Sequence, residues 1–147
     1  MFKYSIYIII SLTTLFSDEI TLSGDSPSFI VDTKYPYVEW QYPSDGDIVD
    51  GNAEIMLLWE ATDSSLTNES VSIFLSTSLG GSYESIYSDI ANTGSIGFTL
   101  PDISTSFARF KIIVTDYYAY QSESAGGDFT ISGEGGDNEI VGQEINI

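Results

Sequence analysis

The chain has 147 residues, enough for one domain of ordinary size with tails. Its 22 Asp and Glu residues outnumber 4 Lys and Arg residues, and the formal net charge of −18 excludes binding to nucleic acids, whose phosphates it would repel. Cys and His are both absent, which excludes disulfide bonds, Ser–His–Asp catalysis and Cys–His catalysis.

Residues 1–17 have the pattern of a secretory signal peptide. Lys3 precedes an apolar run over residues 6–16, and Asp18 and Glu19 open an acidic stretch directly after it. The run is shorter than the roughly 20 apolar residues that a membrane-spanning helix requires. The sequence therefore predicts export, cleavage near Ser17, and no stable membrane insertion afterwards.

Residues 18–35 are polar and predict a linker, in which residues 28–32 form a short edge strand. From there to residue 132, apolar side chains alternate with polar ones in about seven short segments separated by turn residues, a spacing typical of an antiparallel β-sandwich. Two stretches, 63–69 and 117–127, predict polar loops. We expect an all-β sandwich over residues 36–132 and a flexible acidic tail over residues 133–147.

The inward side chains of this sandwich follow from the alternation. Trp59 is the predicted anchor, because its neighbours two and four positions away are also apolar. The full predicted core is Ile55, Leu57, Trp59, Ile73, Leu75, Phe98, Phe110, Ile112, Val114, Phe129 and Ile131.

Several segments occur in an order that resembles a known class of module. They are 59–63 (Trp-Glu-Ala-Thr-Asp), 80–83 (Gly-Gly-Ser-Tyr), 98–101 (Phe-Thr-Leu-Pro) and 129–131 (Phe-Thr-Ile). The pattern is similar to fibronectin type III and immunoglobulin-like modules of exported bacterial surface proteins, with Tyr83 and Phe98 where those modules usually have Trp. The resemblance implies a structural or adhesive module at or outside a cell surface.

Two sets of residues are candidates for binding. Asp63, Asp102, Asp116 and Asp128 lie at strand ends or loop edges, where their oxygens could gather around Ca²⁺, although capping of turns is the more common reason for aspartates there. Tyr117, Tyr118 and Tyr120 lie in a predicted loop and, with Trp40, are candidates for contact with a surface protein or a glycan. The alternative is that one or two of these tyrosines pack back onto the sandwich.

The sequence gives little support to an enzyme. A glycosidase needs two carboxylates about 5 to 9.5 Å apart, whereas Glu54 and Glu60 lie on one predicted strand at a separation of about 20 Å. We therefore expect a non-catalytic, secreted structural or adhesive module without a cofactor. A carbohydrate-binding module that uses the loop tyrosines is the alternative.

Overall fold

The computed structural model describes residues 19–22 and 29–134, which contain β-strands and no helix of the length and hydropathy needed to cross a bilayer. The chain divides into two units, residues 1–33 and residues 34–147. The predicted signal peptide, and the predicted tail from residue 135 onward, lie outside the described residues.

The first unit contains two strands, β1 (Glu19–Leu22) and β2 (Phe29–Asp32), which pair antiparallel along their whole length. β2 coincides with the edge strand predicted within residues 28–32. β1 occupies part of the predicted linker, where four residues of alternating polar and apolar character were too short a signal to predict a strand.

The second unit is an all-β sandwich of two sheets. Its strands are β3 (Tyr37–Tyr42), β4 (Ile48–Asp50), β5 (Glu54–Thr62), β6 (Leu66–Ser76), β7 (Glu84–Ile90), β8 (Ser95–Thr99), β9 (Ser104–Asp116), β10 (Gln121–Ala125) and β11 (Phe129–Ser132). The small sheet has the order β3-β5-β8, and the large sheet has the order β4-β11-β9-β6-β7 with β10 also paired to β9. All pairs are antiparallel except β4 with β11.

The longest strand, β9, organises the large sheet. β6 pairs with one edge of β9, while β11 and β10 lie one after the other along its opposite edge. Gly126 and Gly127 form the step between β10 and β11. A Cβ atom at Gly126 would lie 2.7 Å from Trp40 Cδ1, so only glycine lets the backbone pass this close to the indole.

The core follows the predicted alternation. Along β5, buried and exposed residues alternate without exception, with Leu57 and Trp59 inward. All eleven predicted core residues are buried except Phe98, which is half-buried because β8 lies at the edge of its sheet. The structure adds five buried apolar residues that were not in the predicted set: Trp40, Ala61, Val71, Leu100 and Ala108.

An aromatic cluster centred on Phe110 joins the two sheets. The Phe110 ring stacks on Trp40 at a centroid distance of 5.2 Å and on Phe129 at 5.5 Å, and meets Phe98 edge-on at 5.9 Å. Trp40 and Phe98 belong to the small sheet, whereas Phe110 and Phe129 belong to the large one. Such pairs contribute about 0.5–1.5 kcal/mol each beyond the burial of their surface.

The structure corrects the prediction of about seven strands, because the part of the sandwich that it describes has nine, and β6 begins at Leu66, inside the loop predicted over residues 63–69. β4 is a three-residue strand between two turns, and β10 lies inside residues 117–127, which were predicted as a loop. β10 has the sequence Gln-Ser-Glu-Ser-Ala and therefore lacks the apolar alternation that identifies a strand. It forms because it pairs with β9 and because Ser124 Oγ accepts a hydrogen bond from the Trp40 backbone N–H at 3.0 Å.

Two phenylalanines of β9 provide a matched test of this packing. Phe110 is 1% exposed and Phe107 is 43% exposed. We expect Phe110→Ala to lower the free energy of unfolding by about 3–5 kcal/mol, because it removes the ring at the centre of the cluster and leaves a cavity. Phe107→Ala should change it by less than about 1 kcal/mol. Urea unfolding followed by tryptophan fluorescence measures both, and equal losses in the two variants would contradict this account of the core.

Candidate functional site

The turn between β9 and β10, residues 116–120, presents aromatic side chains on a closely hydrogen-bonded backbone. The Asp116 N–H donates to the Tyr120 carbonyl at 3.0 Å, and the Ala119 N–H donates to the Asp116 carbonyl at 3.1 Å. Ala119 has a φ of 68°, in the left-handed region that such a tight turn requires. We call residues 116–120 the tyrosine turn.

The buried side chain of Asp116 holds the tyrosine turn in place through hydrogen bonds. Its side chain is buried, and its Oδ1 accepts the Tyr120 N–H at 2.8 Å. Ser65 Oγ lies 3.3 Å from Asp116 Oδ2 and 2.6 Å from Asp63 Oδ1, and the Tyr117 N–H donates to the Ser65 carbonyl at 3.0 Å. The loop between β5 and β6 therefore supports the tyrosine turn through direct hydrogen bonds.

The three tyrosines of the turn have two different environments. Tyr117 is 73% exposed and Tyr118 is 44% exposed, and their rings meet edge-on at 5.2 Å. Tyr120 is half-buried and packs edge-on against Tyr35 at 5.1 Å. The structure thus leaves two of the predicted contact residues accessible, while the third packs back onto the sandwich.

Trp40, the fourth predicted contact residue, is not accessible to a ligand. Its side chain is buried, stacked on Phe110, and its indole N–H donates to the Pro43 carbonyl at 2.8 Å. The prediction that Trp40 contacts a partner is therefore replaced by a role in the core. The reason is visible in the register, since Trp40 lies directly opposite Trp59 on the inward face of β3 and β5.

The structure adds Tyr35 to the exposed aromatic residues near the tyrosine turn. Tyr35 is 67% exposed and contacts Tyr120. It lies two positions before Tyr37 and four before Glu39, both on the outward face of β3, so the period-two pattern already placed it outside the core. The contact with Tyr120 joins residues 85 positions apart and has no counterpart in the local sequence.

The four candidate calcium ligands do not meet at one place. Asp63 and Asp116 each have a carboxylate oxygen within 4.8 Å of the other, at the C-terminal end of β9. Asp102 precedes the N-terminal end of β9, where it accepts the Glu134 N–H at 2.9 Å. Asp128 lies beside Arg109, partway along the strand. Since Ca²⁺ takes six to eight oxygen ligands at 2.3–2.6 Å, these four aspartates cannot share one ion.

Asp128 has a partner that accounts for its position. Its Oδ1 lies 2.7 Å from one terminal nitrogen of Arg109 and accepts the Nε–H at 3.0 Å. The hydrogen bond and the negative charge of Asp128 raise the pKa of the Arg109 guanidinium. Both side chains are partly exposed, so the pair contributes little to stability, but it orients the segment that leads into β11.

The tyrosine turn combines exposed rings with carboxylates that are already hydrogen-bonded. The Tyr117–Tyr118 pair offers apolar ring surface and phenol hydroxyls, which are the features that anchor proteins or sugars at an interface. The Asp63 carboxylate accepts hydrogen bonds from the Ser65 N–H and hydroxyl in the loop between β5 and β6, and the Asp116 carboxylate accepts the Tyr120 N–H of the turn. No protein-family model, no curated protein and no solved structure matches this chain.

Two substitutions at the same position test whether the buried carboxylate holds the turn. Asp116→Ala removes the acceptor of the Tyr120 N–H, and we expect it to lower the free energy of unfolding by about 1–3 kcal/mol. Asp116→Asn keeps an oxygen for that bond and should cost less. Urea unfolding gives the two values, and hydrogen exchange at the Tyr120 amide should accelerate in the alanine variant only. Unchanged exchange in the alanine variant would show that the turn does not depend on this carboxylate.

Proposed function

We propose that this protein is a non-catalytic structural or adhesive module that works outside the cell and meets a surface partner through Tyr117 and Tyr118. The observation that carries the proposal is the exposure of an edge-on tyrosine pair on a turn fixed by a buried carboxylate. Aromatic side chains held in place before binding lose little conformational entropy when a partner arrives.

The strand order supports the comparison with immunoglobulin and fibronectin type III modules. When β3, β5, β6, β8, β9 and β11 are lettered A, B, C, E, F and G, one sheet contains A, B and E and the other contains C, F and G. Immunoglobulin sandwiches distribute the same six strands in this way. Modules with this architecture commonly serve as spacers and contact surfaces in extracellular proteins, and their loops carry the recognition residues.

The composition supports work outside the cell. A signal peptide at residues 1–17 would direct export, and a net charge of −18 favours solubility and disfavours adsorption to anionic membranes. We expect the chain, when produced in an exporting bacterial host, to appear outside the cytoplasm with its first 17 residues removed. Fractionation and mass spectrometry of the intact protein measure this. A full-length product in the cytoplasm would contradict the proposed location.

A glycan is the second candidate partner, and the geometry of the tyrosine pair suits such a ligand. The planes of Tyr117 and Tyr118 lie at 89° to each other, so the pair presents ring faces in two directions together with two hydroxyls. Sugar rings stack on aromatic faces through their C–H groups while their hydroxyls form hydrogen bonds. A protein partner would use the same residues as an anchor in a desolvated pocket.

One pair of variants tests the partner surface. Replacement of both Tyr117 and Tyr118 by alanine should leave the free energy of unfolding within about 1 kcal/mol of its original value, because both side chains are exposed. Binding to an array of immobilised glycans and to a panel of immobilised extracellular proteins should fall at least tenfold for any genuine partner. Phe107→Ala, an exposed aromatic residue on the body of β9, is the control. Binding that survives the double substitution would remove the tyrosine turn from the proposal.

A further inference from the structure

The end of the sandwich opposite the tyrosine turn contains a cleft of about 480 Å³ between the edge strands β7 and β8. Its floor is formed by Leu75, Ile86, Phe98 and Ile103, and its rim by polar side chains of the β6–β7 turn and of β8. The volume falls within the range of clefts that bind ligands in proteins. β9 begins beside this cleft and ends at the tyrosine turn, a separation of about 40 Å for a strand of its length.

The two long sides of the sandwich differ, which explains why the cleft lies where it does. On one side, Ser124 of β10 accepts the Trp40 N–H of β3, so the edges of the two sheets are joined. On the other side, the edges meet through the Tyr87 hydroxyl, which donates to the Gly97 carbonyl at 2.6 Å. Beyond this bond, toward Thr99, the sheets separate and the apolar floor becomes accessible.

β8 has free backbone groups where it borders the cleft. Leu100 N–H donates to the Ala53 carbonyl, and Trp59 N–H donates to the Gly94 carbonyl, so the even-numbered residues of this segment bond to β5. In an antiparallel pair, the residues between these bonded ones direct their N–H and C=O groups away from the partner strand. The backbone N–H and C=O groups of Thr99 therefore point away from β5, toward the cleft. The strand Ser95–Thr99 also lacks the charged residues that commonly protect a sheet edge.

The charges around the cleft favour a positively charged ligand. Glu84 is the only charged residue among those that line it, and Asp102 lies between two lining residues, Pro101 and Ile103. Arg109 and Lys111, on the outer face of the large sheet, are paired with Asp128 and Glu123. In a protein with a net charge of −18, a cationic ligand is attracted both by this rim and by the molecule as a whole.

We propose that the cleft binds an extended peptide segment of a partner protein that carries an apolar side chain and, two positions along the strand on the same face, Lys or Arg. The peptide backbone bonds to Thr99 at the edge of β8, an apolar side chain enters the cleft, and a basic side chain pairs with Glu84. Addition of a strand at a sheet edge, with a pocket for alternate side chains, is a common mode of peptide recognition. This site is separate from the tyrosine turn and does not depend on the function proposed for it.

Three blocked synthetic peptides test the chemistry: serine fills every second position, and the positions between are filled in turn by Lys and Leu, by Lys and Ser, or by Glu and Leu. We expect the Lys–Leu peptide to bind the full chain and to shift the NMR methyl signals of Leu75, Ile86 and Ile103. The Lys–Ser peptide should bind more weakly and without these localised shifts, because it lacks the apolar contact. The Glu–Leu peptide should not bind. Two results would overturn the proposal. One is that the Lys–Leu peptide shifts protein signals all over the acidic surface, and the other is that the Lys–Ser peptide binds as tightly as the Lys–Leu peptide.

Matched variants locate the site. Thr99→Pro removes the N–H that points away from β5 and places the proline ring against an added strand, so it should weaken Lys–Leu binding about 2- to 10-fold, the loss of one hydrogen bond. Glu84→Gln should weaken it about 1.5- to 5-fold, as for an exposed ion pair. Glu60→Gln, an equal change of charge on the outer face of the small sheet, should have a smaller effect.

The last comparison separates this proposal from the function proposed for the tyrosine turn. The double replacement of Tyr117 and Tyr118 by alanine should leave Lys–Leu binding unchanged. Folding of each variant is checked by its urea unfolding midpoint. If Thr99→Pro is folded and binds the Lys–Leu peptide as tightly as the original protein, the peptide does not add to the edge of β8 and the proposal is wrong.

Discussion

The structure depends on the stacking of aromatic rings between the two sheets. With no cysteine in the chain, no disulfide holds the sheets together, and the Phe110 ring bridges them through Trp40 and Phe98 on one side and Phe129 on the other. Two residues show how the cluster fits the fold around it. Gly126 is required because the indole of Trp40 lies against the backbone, and Phe98 remains half-buried because its strand is an edge.

β9 is held in place by the core and carries a separate surface feature at each of its ends. At its C-terminal end, Asp116 belongs both to the strand and to the tyrosine turn, so its buried carboxylate connects the sheet to the exposed rings. At its N-terminal end, Ile103 leads into the strand and lines the cleft between β7 and β8. The sandwich therefore separates the exposed Tyr117–Tyr118 pair from the apolar cleft.

The distribution of charge complements this arrangement. Arg109 pairs with Asp128, while Lys111 lies 3.7 Å from Glu123 and its ammonium stands 4.8 Å from the centre of the Tyr83 ring. These two cations are thus neutralised within the outer face of the large sheet. The remaining carboxylates give the protein an excess of negative charge.

The sequence alone determined the fold class and most of the core, because successive side chains of a strand point to opposite faces. The alternation of apolar and polar residues around Leu57, Trp59 and Ile73 therefore indicates that these side chains point inward. It could not predict β4 or β10, since three residues or a polar run such as Gln121–Ala125 form a strand only when a partner strand supplies the hydrogen bonds. It predicted Tyr117 and Tyr118 as candidates for contact with a partner, which stays a prediction, whereas packing in the tertiary structure leaves Tyr120 half-buried and Trp40 buried. Only the tertiary structure decided these positions, as it decided the cleft, because contacts between residues far apart in the chain leave no periodic signal in the sequence.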